Sequence, residues 1–169
     1  MYIDINKIGG KGLLLEDRVE LDDHLLIEEE SFFLDDVDYT VYLTREKEKI
    51  RARGQIRTML SLRCVSCLEN FELRVNSKFD IILFPVYLVK ATDTALTSDE
   101  MEYIFFDGEE IDLEKILMEQ VNLFIPFNPT CSPDCKGICP NCGVNLNYEK
   151  CQCEHPLTEM SLLFNKLKR

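Results

Sequence analysis

An α+β fold is what this chain's residues predict: an antiparallel β-meander or partial barrel with a few helices and a cysteine-rich C-terminal segment. Three observations predict it. Three successive segments alternate apolar and polar residues with the period of a strand, a later segment repeats apolar residues at helical spacing, and eight cysteines fall in two clusters. The expected division is a β-rich core with one helix over residues 1–127, followed by a cysteine-bearing segment and a terminal helix packed on that core over residues 128–169.

In the first alternating segment Val37, Tyr39, Val41 and Leu43 share one face and Asp38, Thr40, Tyr42 and Thr44 the other, before a charged turn at residues 45–49. Ile50, Ala52, Ile56, Leu60 and Leu62 line one side of the second strand. Arg51, Arg53, Gln55, Arg57 and Arg63 line its opposite side, with Met59 out of pattern. The third strand sets Phe71, Leu73, Val75, Phe79, Ile81 and Leu83 against Glu72, Arg74, Asn76, Lys78 and Asp80 and ends near Pro85. Consecutive alternating strands joined by short turns make an antiparallel meander.

Residues 86–100 read as an acidic loop containing Thr and Ser, followed by a short strand from Tyr103 to Phe106 and a turn at Asp107-Gly108. A helix follows. Asp112 caps it, Glu114 suits its first turn, Leu113, Ile116, Leu117, Val121 and Phe124 form its apolar stripe, and Pro126 stops it. Pro156 opens a second amphipathic segment, with Leu157, Met160, Leu163, Phe164 and Leu167 beside Lys166, Lys168 and Arg169. That segment is read as a helix docked on the sheet in preference to a basic partner-binding helix.

The cysteines are Cys64 and Cys67, then Cys131, Cys135, Cys139, Cys142, Cys151 and Cys153. An even count also suits a disulfide-stapled secreted domain. However, Met1 to Lys7 shows no basic region followed by an apolar stretch, and no later segment approaches the roughly 18 apolar residues of a membrane span. The chain is therefore expected in a reducing cytoplasm, where thiolates bind metal, and zinc in particular, since that ion takes four sulfurs tetrahedrally without redox change. Eight cysteines supply two complete shells. Local loop closure assigns Cys139, Cys142, Cys151 and Cys153 to one zinc, in a zinc-ribbon-like cluster around the knuckle Cys139-Pro140-Asn141-Cys142-Gly143. Cys64, Cys67, Cys131 and Cys135 are assigned to the other, which would clamp the C-terminal segment to the turn after the second strand. The Cys-x-Cys spacing needs a tight bend, which leaves His155 as an alternative ligand to Cys151 or Cys153.

The formal charge of −12 argues against indiscriminate nucleic-acid binding, and each four-thiolate zinc site adds further negative charge. The average hides a segregation. Residues 93–119 carry ten acids against Lys115 alone, whereas residues 45–90 carry ten bases against five acids. Such asymmetry is ordinary for a solvated surface or marks a face for an anionic partner. On the second strand Arg51, Arg53, Arg57 and Arg63 are candidates for contacting nucleic-acid phosphate, the alternative being pairing with acids of a neighbouring strand.

Catalysis finds little support. A hydrolytic zinc keeps an open position beside His or carboxylate ligands, and the chain has only His24, in an acidic surface stretch, and His155. Cys64-Val65-Ser66-Cys67 lacks the strand-then-helix surroundings of a thioredoxin-type redox pair, and no P-loop or dinucleotide fingerprint is present. No catalytic residue is assigned.

The segment Arg63-Cys64-Val65-Ser66-Cys67-Leu68-Glu69-Asn70-Phe71 resembles the R-C-x-x-C-L-x-x-F core of the YceD family, the large ribosomal RNA subunit accumulation proteins of bacteria and plastids. Ile111-Asp112-Leu113 with its helix into Ile125-Pro126, and then Cys131 through Asn147, are similar to that family's C-terminal signature almost throughout. Some members have only the Cys-x2-Cys pair and a Cys or His equivalent of Cys131 and Cys135, in keeping with the division into two quartets. One departure is Leu157, where many members carry a basic residue after the proline. The resemblance implies a role in making or preserving large-subunit ribosomal RNA. Together the readings give a non-enzymatic, monomeric, cytoplasmic factor with two zinc ions. It would support large ribosomal subunit assembly by contacting ribosomal RNA or a large-subunit ribosomal protein. The alternatives are a zinc-scaffolded protein-interaction module that never touches nucleic acid, and a thiol redox switch.

Overall fold

The computed structural model describes residues 1–87 and 103–153, which fall into two compact units. The first comprises Met1–Leu62 with Glu72–Phe127; the second comprises Arg63–Phe71 with Asn128 onward. The segment read as a second amphipathic helix from Pro156, His155 and most of the acidic loop lie outside the described residues.

The first unit is built on a sheet whose members are β2 (Leu13–Val19), β3 (Phe32–Phe33), β4 (Val37–Glu46), β5 (Lys49–Arg63), β6 (Asn70–Pro85) and β7 (Tyr103–Phe106). They follow the open order β2-β4-β5-β6-β7, with β3 paired to β5. β1 (Tyr2–Asp4) pairs separately with β8 (Glu110–Asp112), which leads directly into the helix α1 (Leu113–Phe124). The helix α1 is accompanied by short 3-10 turns at Ile5–Lys7 and Asp23–Leu25, and Val86 and Tyr87, expected to open a loop, are helical instead.

Alternation explains the long strands. On β4, Val37, Tyr39, Val41 and Leu43 are buried and the residues between them are exposed or half-buried. On β5, Ile50, Ala52, Ile56, Leu60 and Leu62 are buried against the same core, and the antiparallel register from Asp38↔Arg57 to Glu46↔Lys49 aligns the two apolar faces. A one-residue slip would turn every one of those side chains to water, which fixes the register. Lys47 takes a left-handed conformation, φ 59°, in the turn between them.

Gly54 interrupts the β5 pattern for a packing reason. A Cβ there would stand 2.5 Å from Cζ of Phe79 and 2.8 Å from the carbonyl oxygen of Thr40, so the Phe79 ring occupies the space that a side chain would need.

The meander is antiparallel from β2 through β4 to β5. At its far edge the expectation of an all-antiparallel sheet is corrected: β7 runs parallel to β6, from Ile82↔Tyr103 to Pro85↔Phe106. Residues 86–102 separate the two strands, a connection long enough for the crossover that parallel pairing requires. The helix follows its cap. The Asp112 side chain accepts a hydrogen bond from the Lys115 N–H, and Leu113, Ile116, Leu117 and Val121 are buried, while Phe124 at the end of the stripe is exposed.

Candidate metal centres

All eight cysteines belong to the second unit, whose construction starts from two short turns. In Cys64-Val65-Ser66-Cys67-Leu68-Glu69, the Leu68 N–H donates to the Cys64 carbonyl at 2.9 Å and the Cys64 N–H donates to the Glu69 carbonyl at 2.9 Å. The knuckle from Cys139 repeats that pattern. Gly143 N–H donates to the Cys139 carbonyl at 2.9 Å, and Cys139 N–H donates to the Val144 carbonyl at 2.8 Å. In each turn the residue after the second cysteine is left-handed: Leu68 at φ 62° and Gly143 at φ 73°. Glycine accepts that conformation freely; leucine does so at a cost of about 1–3 kcal/mol.

These turns aim their sulfurs at two further pairs. The four sulfurs of Cys64, Cys67, Cys131 and Cys135 lie within 4.8 Å of one another, and so do those of Cys139, Cys142, Cys151 and Cys153. Within the first group Cys64 Sγ is 3.8 Å from Cys135 Sγ, and Cys67 Sγ is 3.7 Å from Cys131 Sγ. In the second, Cys142 Sγ is 3.6 Å and Cys139 Sγ 3.2 Å from Cys151 Sγ. All eight thiols are free, at separations far beyond a disulfide bond. Sulfurs bound tetrahedrally at a zinc–sulfur distance of about 2.3 Å would stand roughly 3.8 Å apart, so the donor sets fit such an ion in number, type and spacing.

Main-chain and amide donors surround the sulfurs. Asn141 N–H points at Cys139 Sγ at 3.4 Å and Cys153 N–H at Cys151 Sγ at 3.2 Å. The Asn147 side chain donates to Cys135 Sγ at 3.4 Å, while its oxygen accepts from the Lys136 N–H at 2.8 Å. Such donors orient ligands and stabilise thiolate charge. Asn147 was not singled out as a site residue on sequence; its signal is a side-chain role in a loop, which spacing of cysteines does not reveal.

Proton affinities within each group diverge. Burial pushes the Cys64 thiol up, but the backbone N–H groups of Cys131, Cys67 and Ser66 outweigh it and bring it down to about 6. N–H groups of Cys142 and Asn141 similarly lower Cys139 to about 6. In contrast, Cys131 is raised to about 12, chiefly by its contact with Cys135, and Cys153 to about 12 by Cys151. Crowded sulfurs resist ionising together because like charges disfavour one another, and a divalent cation at the centre removes that conflict.

Gly137 joins the two cysteine-bearing segments of the first group. The Ile138 N–H donates to the Ser66 carbonyl at 3.1 Å and the Val65 N–H to the Pro129 carbonyl at 2.9 Å. A Cβ on Gly137, which sits at φ 71°, would stand 2.9 Å from that same Ser66 oxygen.

The arginine face of β5 is partly neutralised. Arg51 contacts Asp80 through Nε at 2.7 Å and Nη2 at 2.8 Å, and Arg53 Nε reaches the same carboxylate at 3.0 Å. Arg63 donates to the Leu68 carbonyl at 3.1 Å. Arg57 helps hold the Asp38 carboxyl below its ordinary range, behind the larger effect of Arg18, yet forms no salt bridge among the described residues. His24 is exposed beside Asp22, whose side chain accepts from the His24 N–H.

Comparison with known proteins follows the same residues. The family model described as large ribosomal RNA subunit accumulation protein YceD matches residues 52–169. A chloroplastic large ribosomal RNA subunit accumulation protein, YCED homolog 1 of Arabidopsis thaliana, is 31% identical over 139 residues, covering 69% of this chain and 43% of its own length. The Zea mays protein of the same name is 27% identical over 139 residues, covering 68% and 47%. An uncharacterised protein of Mycobacterium tuberculosis is 32% identical over 113 residues, covering 67% and 53%. This chain thus spans about half the length of these relatives. No solved structure matches it significantly. By this match over most of its length, cysteine turns included, the chain belongs to the YceD family of large ribosomal RNA subunit accumulation proteins.

Proposed function

We propose that this protein is a non-enzymatic, monomeric, cytoplasmic factor that holds two zinc ions and supports accumulation of large-subunit ribosomal RNA and assembly of the large ribosomal subunit. The observation that carries the reading is the pair of four-sulfur groups within the stretch matched by the family. Cys64, Cys67, Cys131 and Cys135 would hold one ion, and Cys139, Cys142, Cys151 and Cys153 the other. Four thiolates close a zinc shell and leave no position for substrate, so the ion supplies a cross-link rather than a reaction. No helix among the described residues is long and apolar enough to cross a membrane.

Two modes of action follow from different surfaces. Contact with ribosomal RNA would use Arg57 and Arg63, with Arg51 and Arg53 exchanging Asp80 for phosphate. Contact with a large-subunit ribosomal protein is favoured by the Asp80 pairings and by the net charge of −12.

The test is the ratio of large- to small-subunit ribosomal RNA in cells lacking the protein, with wild type and the Arg51, Arg53, Arg57 and Arg63 to Gln variant re-expressed. A selective fall in the large-subunit RNA, restored by wild type, is expected. Failure of the variant to restore it, with a flatter salt dependence of RNA binding, identifies phosphate contacts. Full restoration removes the arginine face and leaves the protein partner; an unchanged ratio in the deletion removes the ribosomal role.

A further inference from the structure

The first unit carries an open, mostly apolar groove of about 960 Å³ that takes no part in the metal centres. One lip is α1 and the other is the turn that follows Asp22, with β7 contributing Phe105. Leu25, Ile27 and Leu123 line it at 61%, 69% and 74% exposure. Large apolar side chains left in water side by side mark a docking surface, whereas isolated ones do not.

The two lips are bonded directly to each other. The Asn122 side chain accepts the Ile27 N–H at 2.9 Å and donates to the Leu25 carbonyl at 3.0 Å, latching the turn to the helix. Asp22 and Asp23 brace the same turn through the N–H groups of His24, at 3.0 Å, and Phe33, at 2.7 Å. A preformed surface avoids the ordering cost that weakens binding.

Its rim is acidic. Among the described residues, Glu20, Asp22, Asp112, Glu114 and Glu119 border the groove against Lys115 alone. The Met1 ammonium neutralises part of this through Glu114 at 2.9 Å and Asp112 at 3.6 Å, whereas Glu20, Asp22 and Glu119 form no salt bridge among the described residues. Such a rim repels nucleic-acid phosphate and attracts cations.

We propose that this groove docks a lysine- and arginine-bearing amphipathic helix of a partner polypeptide, its apolar stripe seated on Leu25, Ile27, Phe105 and Leu123 and its cations on Glu20, Asp22 and Glu119. Helix-in-groove recognition reads apolar anchors at i, i+3, i+4 and i+7, and the apolar floor with an acidic border is complementary to that pattern in both hydrophobicity and charge. The proposal goes beyond the ribosomal RNA reading and stands whether or not RNA levels depend on the protein.

The probe is a fluorescein-labelled peptide of about 18 residues with leucines at i, i+3, i+4 and i+7 and lysines elsewhere, titrated by anisotropy with the full, metal-loaded chain. A scrambled peptide of the same composition is the control. Saturable binding is expected, at least about tenfold tighter than that of the scrambled peptide, and weakened about tenfold or more by the double substitution Ile27→Gln and Leu123→Gln. Both positions are exposed, so the fold tolerates the change. Glu20→Gln with Glu119→Gln should weaken binding less and flatten its salt dependence. Equal binding of the scrambled peptide, or indifference to the double substitution, would show unspecific attraction and overturn the proposal. Dimerisation in sedimentation that the same substitution abolishes would assign the groove to a second copy. Binding by a peptide copying residues 157–169, with none by the designed peptide, would assign it to the chain's own end; either result also overturns it.

Discussion

Stripping metal with a strong chelator at neutral pH is expected to unfold residues 63–71 and 128–153 while β2, β4, β5 and α1 keep their protection from amide exchange. The reason lies in the described residues of the second unit. Among them the buried apolar side chains are the cysteines Cys64, Cys67 and Cys139 together with Pro129, and the regular structure is one isolated bridge, Ile138↔Asn145, beside the ends of β5 and β6. Ordering a residue costs about 1–2 kcal/mol of backbone entropy, which so small an apolar core cannot offset. A structural zinc supplies an apparent 10–16 kcal/mol, roughly, at neutral pH. The first unit, by contrast, buries Val37, Leu43, Ile56, Leu60, Leu117 and Val121 completely and needs no ion. Exchange mass spectrometry resolves the two units, and Cys64→Ser should reproduce the loss at the first quartet. Undiminished protection of residues 128–153 after complete metal removal would sink the expectation.

Replacing Gly137 by alanine is expected to weaken the second unit by about 2–4 kcal/mol, from left-handed strain and overpacking together. The backbone there sits at φ 71°, and the new methyl would press on the Ser66 carbonyl that receives the Ile138 N–H. Relief requires moving the segment bearing Cys135 and Cys139 away from the one bearing Cys64 and Cys67, so the first quartet should loosen selectively. Gly143→Ala is the internal comparison. It also sits left-handed, at φ 73°, but its Cβ meets nothing within 4 Å, so it should cost only the strain. Competition with a chromophoric chelator measures both; equal losses at the two glycines would show that the contact with Ser66 carries no energy.

The strands were legible because each of β4, β5 and β6 buries one face, and a single buried face writes period two into the residues. The helix was legible through its cap, Asp112, and through Ile116, Leu117 and Val121 at helical spacing. β2 escaped notice because its core-side residues Leu13, Leu15 and Val19 are only half-buried and Leu14 between them is apolar and 60% exposed, which erases the alternation. The direction of β7 was equally hidden, since four residues of strand carry no mark of parallel or antiparallel pairing.

Cysteine spacing divided the eight cysteines into the two groups that the structure gathers, because short spacings restrict which sulfurs reach one point. What spacing cannot show is support from across the chain. Asn147 at Cys135, Gly137 against Ser66 and the Asp80 carboxylate shared by Arg51 and Arg53 all depend on residues brought together only by folding. The groove between α1 and the Leu25–Ile27 turn was invisible for the same reason: its lips are joined by Asn122, nearly a hundred positions from Ile27.

Native mass spectrometry of the purified chain, with elemental analysis of the same sample, tests the central claim most directly. Two zinc ions per chain and eight thiols shielded from alkylation until chelator is added are the result predicted by two closed four-sulfur centres. A folded, metal-free chain whose thiols react at once would contradict it.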